Sequence, residues 1–202
     1  MNLKYYDLLS TTIIGIVVVA VVNYFFLDNV EINSVAYIPI GYFVGYFINA
    51  MGSLCEDYYY RTIGGMPSDK LLESPNDKGW TGYSKVKFYE RDRVTALLKN
   101  ELKDENATIS RMFSCAMRKV NSCTESRVPA FNAQYAWSRN VLTAVLIIEL
   151  IAGFSYYDQL LFWLVSIPLL LVALNRFKER GYYYAREVLN EYMKQNKCED
   201  NL

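Results

Sequence analysis

A single carboxylate interrupts one of the long apolar stretches of this chain, and it is the residue with the clearest chemical potential. Glu149 lies nine residues into the stretch 140–157. That spacing corresponds to about 13 Å along a helix, near the middle of a hydrocarbon layer. A charge at that depth costs about 2.5 to 3.5 kcal/mol on insertion scales, so the protein must offset it. Two interpretations stay open: Glu149 lines an ion or proton path, or it stays protonated and hydrogen-bonds a neighbouring helix as a structural link.

Three further polar residues are candidates for a pore or a gate, namely Asn23, Asn49 and Glu56. Asn49 lies inside the apolar stretch 35–54, and Glu56 lies two residues beyond its end. A carboxylate at the inner membrane boundary would form a cation-attracting ring in an oligomer. The alternative is an ordinary ion pair at the interface, for which Arg139 is one of the available partners.

The sequence contains few of the residues and motifs that catalysis or metal binding requires. It contains no histidine, which removes the usual general base and the commonest metal ligand. No phosphate loop, HExxH motif or pair of catalytic carboxylates is found. We therefore expect no enzyme, no metal and no cofactor. The four cysteines form no CxxC pair, so neither a zinc site nor a disulfide framework is expected; they are Cys55, Cys115, Cys123 and Cys198.

The elements that must position these residues are four stretches that are almost free of charge. A soluble domain scatters its charges along every amphipathic helix, whereas here Glu149 is the one exception. Each stretch is long enough, or becomes long enough when extended, to cross a bilayer. The prediction is an all-α polytopic membrane protein with four transmembrane helices in two hairpins. The stretches are 8–27, 35–54, 140–157 and 160–174.

The first and the fourth stretches each allow two interpretations. A lone apolar run near an N-terminus is also typical of a signal peptide. We favour a retained anchor because no basic cluster precedes it and no small-residue cleavage site follows it. The fourth stretch is short, and we expect it to continue as a single helix beyond residue 175.

Small residues in the second stretch indicate close helix packing. Gly41 and Gly45 form a GxxxG pair, and Gly52 follows on the same segment. Such spacing lets helix backbones approach closely in lipid. The contact is expected either within the chain, against the first helix, or with another subunit.

The distribution of basic residues predicts the orientation. The loops at 28–34 and 157–159 contain no lysine or arginine, and all 21 basic residues lie elsewhere outside the membrane stretches. By the positive-inside rule, both termini and the insertion between the second and third helices are cytoplasmic. This topology divides the chain into a first hairpin at 1–55, a cytoplasmic helical domain at 56–139, a second hairpin at 140–175 and an amphipathic tail at 176–202.

The cytoplasmic insertion is predicted to be helical. Its helices are expected at 68–73, at 85–103 behind a Ser84 cap, and at 106–122. The last of these carries an apolar face that includes Met112, Phe113 and Met117. About 80 residues make a thin core, so this face should pack on the membrane helices, on a neighbouring subunit or on a cytoplasmic protein partner.

Three segments of the chain resemble uncharacterised small bacterial membrane proteins, some of which accompany antiviral defence genes such as type VI CRISPR loci. The resemblance implies residence in a bacterial inner membrane. It also implies an accessory or effector role that is triggered from the cytoplasm and changes membrane permeability. The segments are YDLLS at 6–10, GYFINAMGS at 45–53 and QYAWSRN at 134–140.

These observations favour an oligomeric, channel-like or membrane-perturbing protein that is controlled through its cytoplasmic helices. One alternative is a non-conducting membrane scaffold that recruits a cytoplasmic partner, and a second is a small transporter. The partners expected are membrane lipid and further copies of the chain. A nucleic-acid partner is not expected, because the 21 basic and 21 acidic residues leave no net charge.

Overall fold

The computed structural model describes residues 3–27, 30–62, 64–73, 86–121 and 126–199, with side chains described within 8–196. Within this part of the chain the regular structure is entirely α-helical, which confirms the predicted fold class. The helices are α1 Leu3–Phe26, α2 Ser34–Thr62, α3 Pro67–Leu72, α4 Arg91–Leu102, α5 Ile109–Asn121, α6 Val128–Tyr156 and α7 Leu160–Glu199.

Four of these helices, α1, α2, α6 and α7, are long and apolar enough to cross a membrane. They pack as an α1·α2 pair and an α6·α7 pair, with the shorter helices between them in sequence. The chain is therefore a multi-pass membrane protein. As predicted, α7 is one continuous helix of 40 residues. At 1.5 Å per residue it is about 60 Å long, or twice the thickness of the hydrocarbon layer.

The residues group into two compact units. Unit 1 consists of Met1–Tyr59 and Ala133–Phe177, and unit 2 of Tyr60–Asn132 and Lys178–Leu202. The predicted division at 56–139, 140–175 and 176–202 follows membrane topology rather than compactness and stays a prediction. Residues of the predicted tail belong to the same unit as the insertion.

Unit 1 has a small interior and an apolar exterior. Its buried cluster contains Ile14, Val18, Ile48 and Ala144. Most of its large aliphatic and aromatic side chains are exposed instead. An exterior of this kind suits hydrocarbon, in which apolar side chains need no cover.

Close backbone packing joins α1 to α2. A methyl group placed on Gly15 would lie 1.7 Å from the Gly41 carbonyl oxygen, and one on Gly45 would lie 2.0 Å from that of Thr11. A Cβ on Gly41 would meet the Ile16 side chain at 2.4 Å. Gly41 and Gly45 thus lie on the face of α2 that contacts α1, and Gly15 is the matching small residue on α1.

Unit 2 has a continuous hydrophobic core. Helices α3, α4 and α5 and the C-terminal half of α7 all contribute to it. The most deeply buried positions include Val94, Leu98, Leu189 and Tyr192. The Tyr192 hydroxyl donates to Glu101, and Lys119 donates to the Asn196 side chain at 2.6 Å. These two hydrogen bonds join α7 to α4 and α5 at the edge of the core.

Two helix starts in unit 2 differ from the prediction, because α5 begins three residues later than expected and α4 six residues later. The helix expected at 85–103 begins only at Arg91, whereas Ser84 and Lys85 lie outside the described residues. Residues 86–90 are not helical, and Val86 is buried in the core. Packing of Val86 and Phe88 on this core overrides the helical periodicity of the segment. The end of α4 is set by Lys103, which adopts the left-handed conformation with φ of 50°.

Candidate functional site

Two polar stripes face each other inside unit 1. On α2, Asn49, Gly52 and Glu56 recur at spacings of three and four residues, which places them on one face of the helix. On α6, Arg139 and Thr143 lie four residues apart and share a face in the same way. Because the two helices pack with these faces together, polar groups meet where each apolar stretch begins or ends.

Arg139 is the centre of this site. Its Nη1 lies 2.6 Å from Glu56 Oε2, and its Nη2 donates to Asn49 Oδ1 at 3.0 Å. The Arg139 side chain is 13% exposed and that of Glu56 is 27% exposed. A guanidinium presents its donors as a rigid planar fork, so it can hold two acceptors at once. Arg139 thereby links two positions of α2 that are seven residues apart.

A hydroxyl pair continues the contact between the same two helices. Tyr59 Oη and Thr143 Oγ1 are hydrogen-bonded at 3.1 Å, and Thr143 also donates to the Arg139 carbonyl at 2.9 Å. Gly52 leaves the space for this arrangement, since a Cβ there would lie 2.8 Å from Thr143 Oγ1. The predicted packing residue Gly52 therefore serves the α2–α6 contact.

Aromatic rings close one side of the site. Phe177 packs edge-on against Tyr59 with ring centroids 5.8 Å apart, and it stacks on Tyr135 at 5.6 Å. The Arg139 guanidinium lies 6.0 Å from the centre of the Tyr135 ring. Apolar surroundings lower the local dielectric, which strengthens the attraction between Arg139 and Glu56 relative to the same pair in water.

The site contains a neutralised ion pair and several hydroxyl and amide groups. It can hold two helices together, or release them when the pair is broken. Arg139 Nε is buried without a hydrogen-bond partner in the described part of the chain. No three side chains of metal-binding type converge among the described residues.

Glu149 lies elsewhere on α6. It is ten residues beyond Arg139, about 15 Å further along the helix. Its Oε1 atom is buried and finds no hydrogen-bond partner among the described residues. The structure thus brings Asn49 and Glu56 together and leaves Glu149 apart from them.

Asn23 lies at the connection between α1 and α2. Its side-chain amide donates to the Val30 carbonyl at 3.0 Å and to the Tyr37 hydroxyl at 3.4 Å. Asn23 is buried, and these bonds tie the end of α1 to the start of α2. The hydrogen bonds of Asn23 thus stabilise the connection between the two helices of a hairpin.

The apolar face predicted to need a partner is covered by the chain itself. Met112 is buried in the core of unit 2, and Phe113 and Met117 pack against that core. Tyr184, on α7, donates a hydrogen bond to the Met117 sulfur at 3.2 Å. A partner could reach Met112 only if this core opened.

Sequence reasoning named Arg139 as one possible partner of Glu56 and missed the roles of Tyr59, Thr143 and Gly15. The spacing of Arg139 and Thr143, four residues apart, was an available signal for a polar helix face. The distances themselves depend on which faces of α2 and α6 meet.

The architecture defines a multi-pass helical membrane protein with an internal polar contact in its membrane unit and a separately packed helical unit. No protein-family model, curated protein or solved structure matches the chain.

Proposed function

We propose that this protein is a non-enzymatic, channel-like or membrane-perturbing effector that works as an assembly of copies in a bacterial inner membrane. The observation that carries the proposal is the bare Glu149 Oε1 atom inside a membrane-crossing helix. Lipid cannot hydrogen-bond a carboxylate, so that oxygen needs a proton, water or a group from another subunit. A hydrated path along α6 would supply both water and exchangeable protons.

The link between Arg139, Glu56 and Asn49 is the candidate gate. Arg139 directly precedes the apolar stretch 140–157, and Glu56 lies two residues beyond the end of the stretch 35–54. While the 2.6 Å ion pair holds, α2 and α6 stay together. Loss of the pair would leave a partly buried charge without its partner and favour separation of the helices.

Control from the cytoplasm is the further part of the proposal. The positive-inside pattern supports cytoplasmic termini and a cytoplasmic helical domain. Residues of α7 belong to both units, so one continuous helix connects the membrane segment with the core of unit 2. The resemblance of segments 6–10, 45–53 and 134–140 to proteins beside defence genes supplies antiviral defence as the setting.

A direct test measures ion and proton flux from liposomes that contain purified protein. We expect flux from wild type or, if the gate is closed, from Glu56→Gln, in which the bond to Arg139 is weakened. In that conducting background, Glu149→Gln should lower the flux by about ten-fold or more, the scale of losing one group worth about 1.4 kcal/mol. Glu149→Asp should retain part of it.

Leu150→Ala is the matched control, because Leu150 is the next residue on α6 and its side chain is exposed. All variants are compared at equal reconstitution and equal helix content. Flux at the level of empty liposomes for both wild type and Glu56→Gln contradicts the channel-like function. Full flux from Glu149→Gln removes Glu149 from the path.

A further inference from the structure

Two exposed tyrosine side chains lie on α2 near the middle of its apolar stretch. Tyr42 and Tyr46 are four residues apart, on one helix face, and they are 40% and 60% exposed. They flank the midpoint of the apolar stretch 35–54. The exposed Ser53 continues the same face seven residues after Tyr46. We call these three residues the hydroxyl face of α2.

Lipid is a poor neighbour for this face. Tyrosines of membrane proteins concentrate at the water interfaces, where the hydroxyl can be solvated. The middle of a bilayer lies about 15 Å from either interface, beyond the reach of a tyrosine side chain. Neither hydroxyl of Tyr42 and Tyr46 has a hydrogen-bond partner among the described residues. Each therefore requires a partner from outside the chain.

The other membrane helices expose a different chemistry at this depth. The exposed mid-helix residues of α1 include Ile13 and Val17. On α7 the exposed surface is aliphatic over three turns, comprising Leu160, Leu161, Leu164, Val165, Ile167, Leu169, Leu171 and Val172, apart from Trp163 near its start. These apolar surfaces are compatible with lipid and need no protein partner. The hydroxyl face of α2 differs from them because it carries groups that form hydrogen bonds.

The faces of α2 on one side of the hydroxyl face are already used. Gly41 and Gly45 pack on α1, while Asn49 and Glu56 bind Arg139 of α6. The side of the hydroxyl face away from these contacts carries Phe43 and Phe47, each packed edge-on against its tyrosine neighbour at 6.4 Å and 6.5 Å. Rigid aromatic rings around hydroxyl groups provide both contact area and hydrogen bonds for a helix partner.

We infer that the hydroxyl face of α2, formed by Tyr42, Tyr46 and Ser53, packs against the same face of a second copy of this chain within the membrane. Copies inserted with one orientation and related by a two-fold axis present equal positions at equal depth. Tyr46 then meets Tyr46 of the other copy, and a phenol can donate to and accept from its twin. This inference names the surface through which copies of the chain would contact each other. It rests on the part of the proposed function that says the protein works as an assembly, and it does not depend on ion conduction.

Photo-crosslinking in native membranes tests the inference on the full-length protein. Benzoylphenylalanine is placed at position 46 in one variant and at position 172 in the other. Both positions lie twelve residues after the start of their helix, and Tyr46 and Val172 are 60% and 66% exposed. We expect a band at twice the monomer mass from position 46 and none from position 172.

Three results would overturn the inference. Position 46 could crosslink to lipid only, it could capture a different protein identified by mass spectrometry, or both positions could give equal dimer bands. Because the readout is a crosslink, dimers without liposome flux would count against the proposed channel alone. Flux without crosslinks at position 46 would count against this interface alone.

Removal of the hydroxyls provides a second, independent readout. Tyr42→Phe and Tyr46→Phe keep the rings and should each weaken dimerisation in micelles by about three-fold, with the double variant near ten-fold. Val172→Phe is the control and should leave the monomer-dimer equilibrium unchanged. An unchanged equilibrium in the double variant would show that the hydroxyls do not hold the copies together.

Discussion

Units 1 and 2 place their polar and apolar residues in opposite ways. In unit 1 the large aliphatic side chains are mostly exposed, whereas Asn23, Asn140 and Thr143 are buried. In unit 2 the buried residues form one hydrophobic core, and the described charged side chains are exposed or half-buried. A single chain therefore satisfies two solvents, because the hydrophobic effect that drives burial in water is missing in lipid.

Helix α7 contains this contrast within itself. Leu164, near its start, is 62% exposed, whereas Leu189, further along the same helix, is fully buried. The two units are therefore stabilised by different interactions. Unit 1 depends on backbone contact at glycines and on polar links, and unit 2 depends on buried apolar area.

The largest effect is expected from a methyl group between α1 and α2. Gly15→Ala would place Cβ 1.7 Å from the Gly41 carbonyl oxygen, so the two helices must separate. We expect a loss of at least about 3 kcal/mol or failure to accumulate in the membrane. The matched control is Gly153→Ala, whose Cβ would contact only the Phe162 ring, at 3.8 Å. Equal thermal stability of the two variants in detergent would contradict glycine-based packing of unit 1.

The same Leu→Ala substitution at two positions of α7 tests whether one part of the helix faces lipid and the other packs in a core. Leu189→Ala empties part of the core of unit 2 and should destabilise that unit by about 2 to 5 kcal/mol. Leu164→Ala removes a side chain from the exposed surface of unit 1 and should cost less than about 0.5 kcal/mol. Denaturation monitored by hydrogen exchange in each unit checks both values. A large loss from Leu164→Ala would mean that its surface packs on protein.

The polar contact of unit 1 is expected to have an intermediate effect. In a double-mutant cycle with Arg139→Gln and Glu56→Gln, we expect a coupling energy of about 1 to 2 kcal/mol. The value stays below that of a fully buried pair because Glu56 is 27% exposed. Additive effects of the two substitutions on thermal unfolding would show that the ion pair does not join α2 to α6.

The smallest effect concerns the Cys115 thiol in unit 2. Burial raises the pKa of Cys115, and the nearby Glu101 carboxylate adds to the increase. The thiol contributes to stability below its ordinary pKa, and this contribution is lost as the pH rises through the raised value. Alkylation of Cys115, followed by peptide mass spectrometry, should show a higher pH midpoint in folded than in unfolded protein. Coincident midpoints would argue against the shift.

The membrane helices were predictable because their apolar stretches contain almost no charge. The short helices α3 and α5 also followed from periodicity and turn residues; α3 lies within one residue of its predicted bounds and α5 within three. The predicted start of α4 was wrong, because Val86 lies in the core in a segment that is not helical. Local propensity does not include that tertiary contact.

The partners of the candidate residues could not be predicted in the same way. Arg139 binds Glu56 and Asn49 across 83 and 90 residues of sequence, and the Met117 sulfur receives its bond from Tyr184, 67 residues later. Such pairs depend on which faces of distant helices meet, and one chain's periodicity leaves several arrangements equally good. Residue type identified Glu149 as unusual, but only the packing shows which of its atoms is left without a partner.

The most direct test of four membrane crossings is labelling with a membrane-impermeant maleimide in spheroplasts. Glu31 and Asn100 are both exposed, the first in the α1–α2 connection and the second on α4. We predict that Glu31→Cys is labelled in intact spheroplasts, whereas wild type and Asn100→Cys are labelled only after permeabilisation. Labelling of Asn100→Cys in intact spheroplasts, or recovery of the protein in the soluble fraction, would contradict this topology.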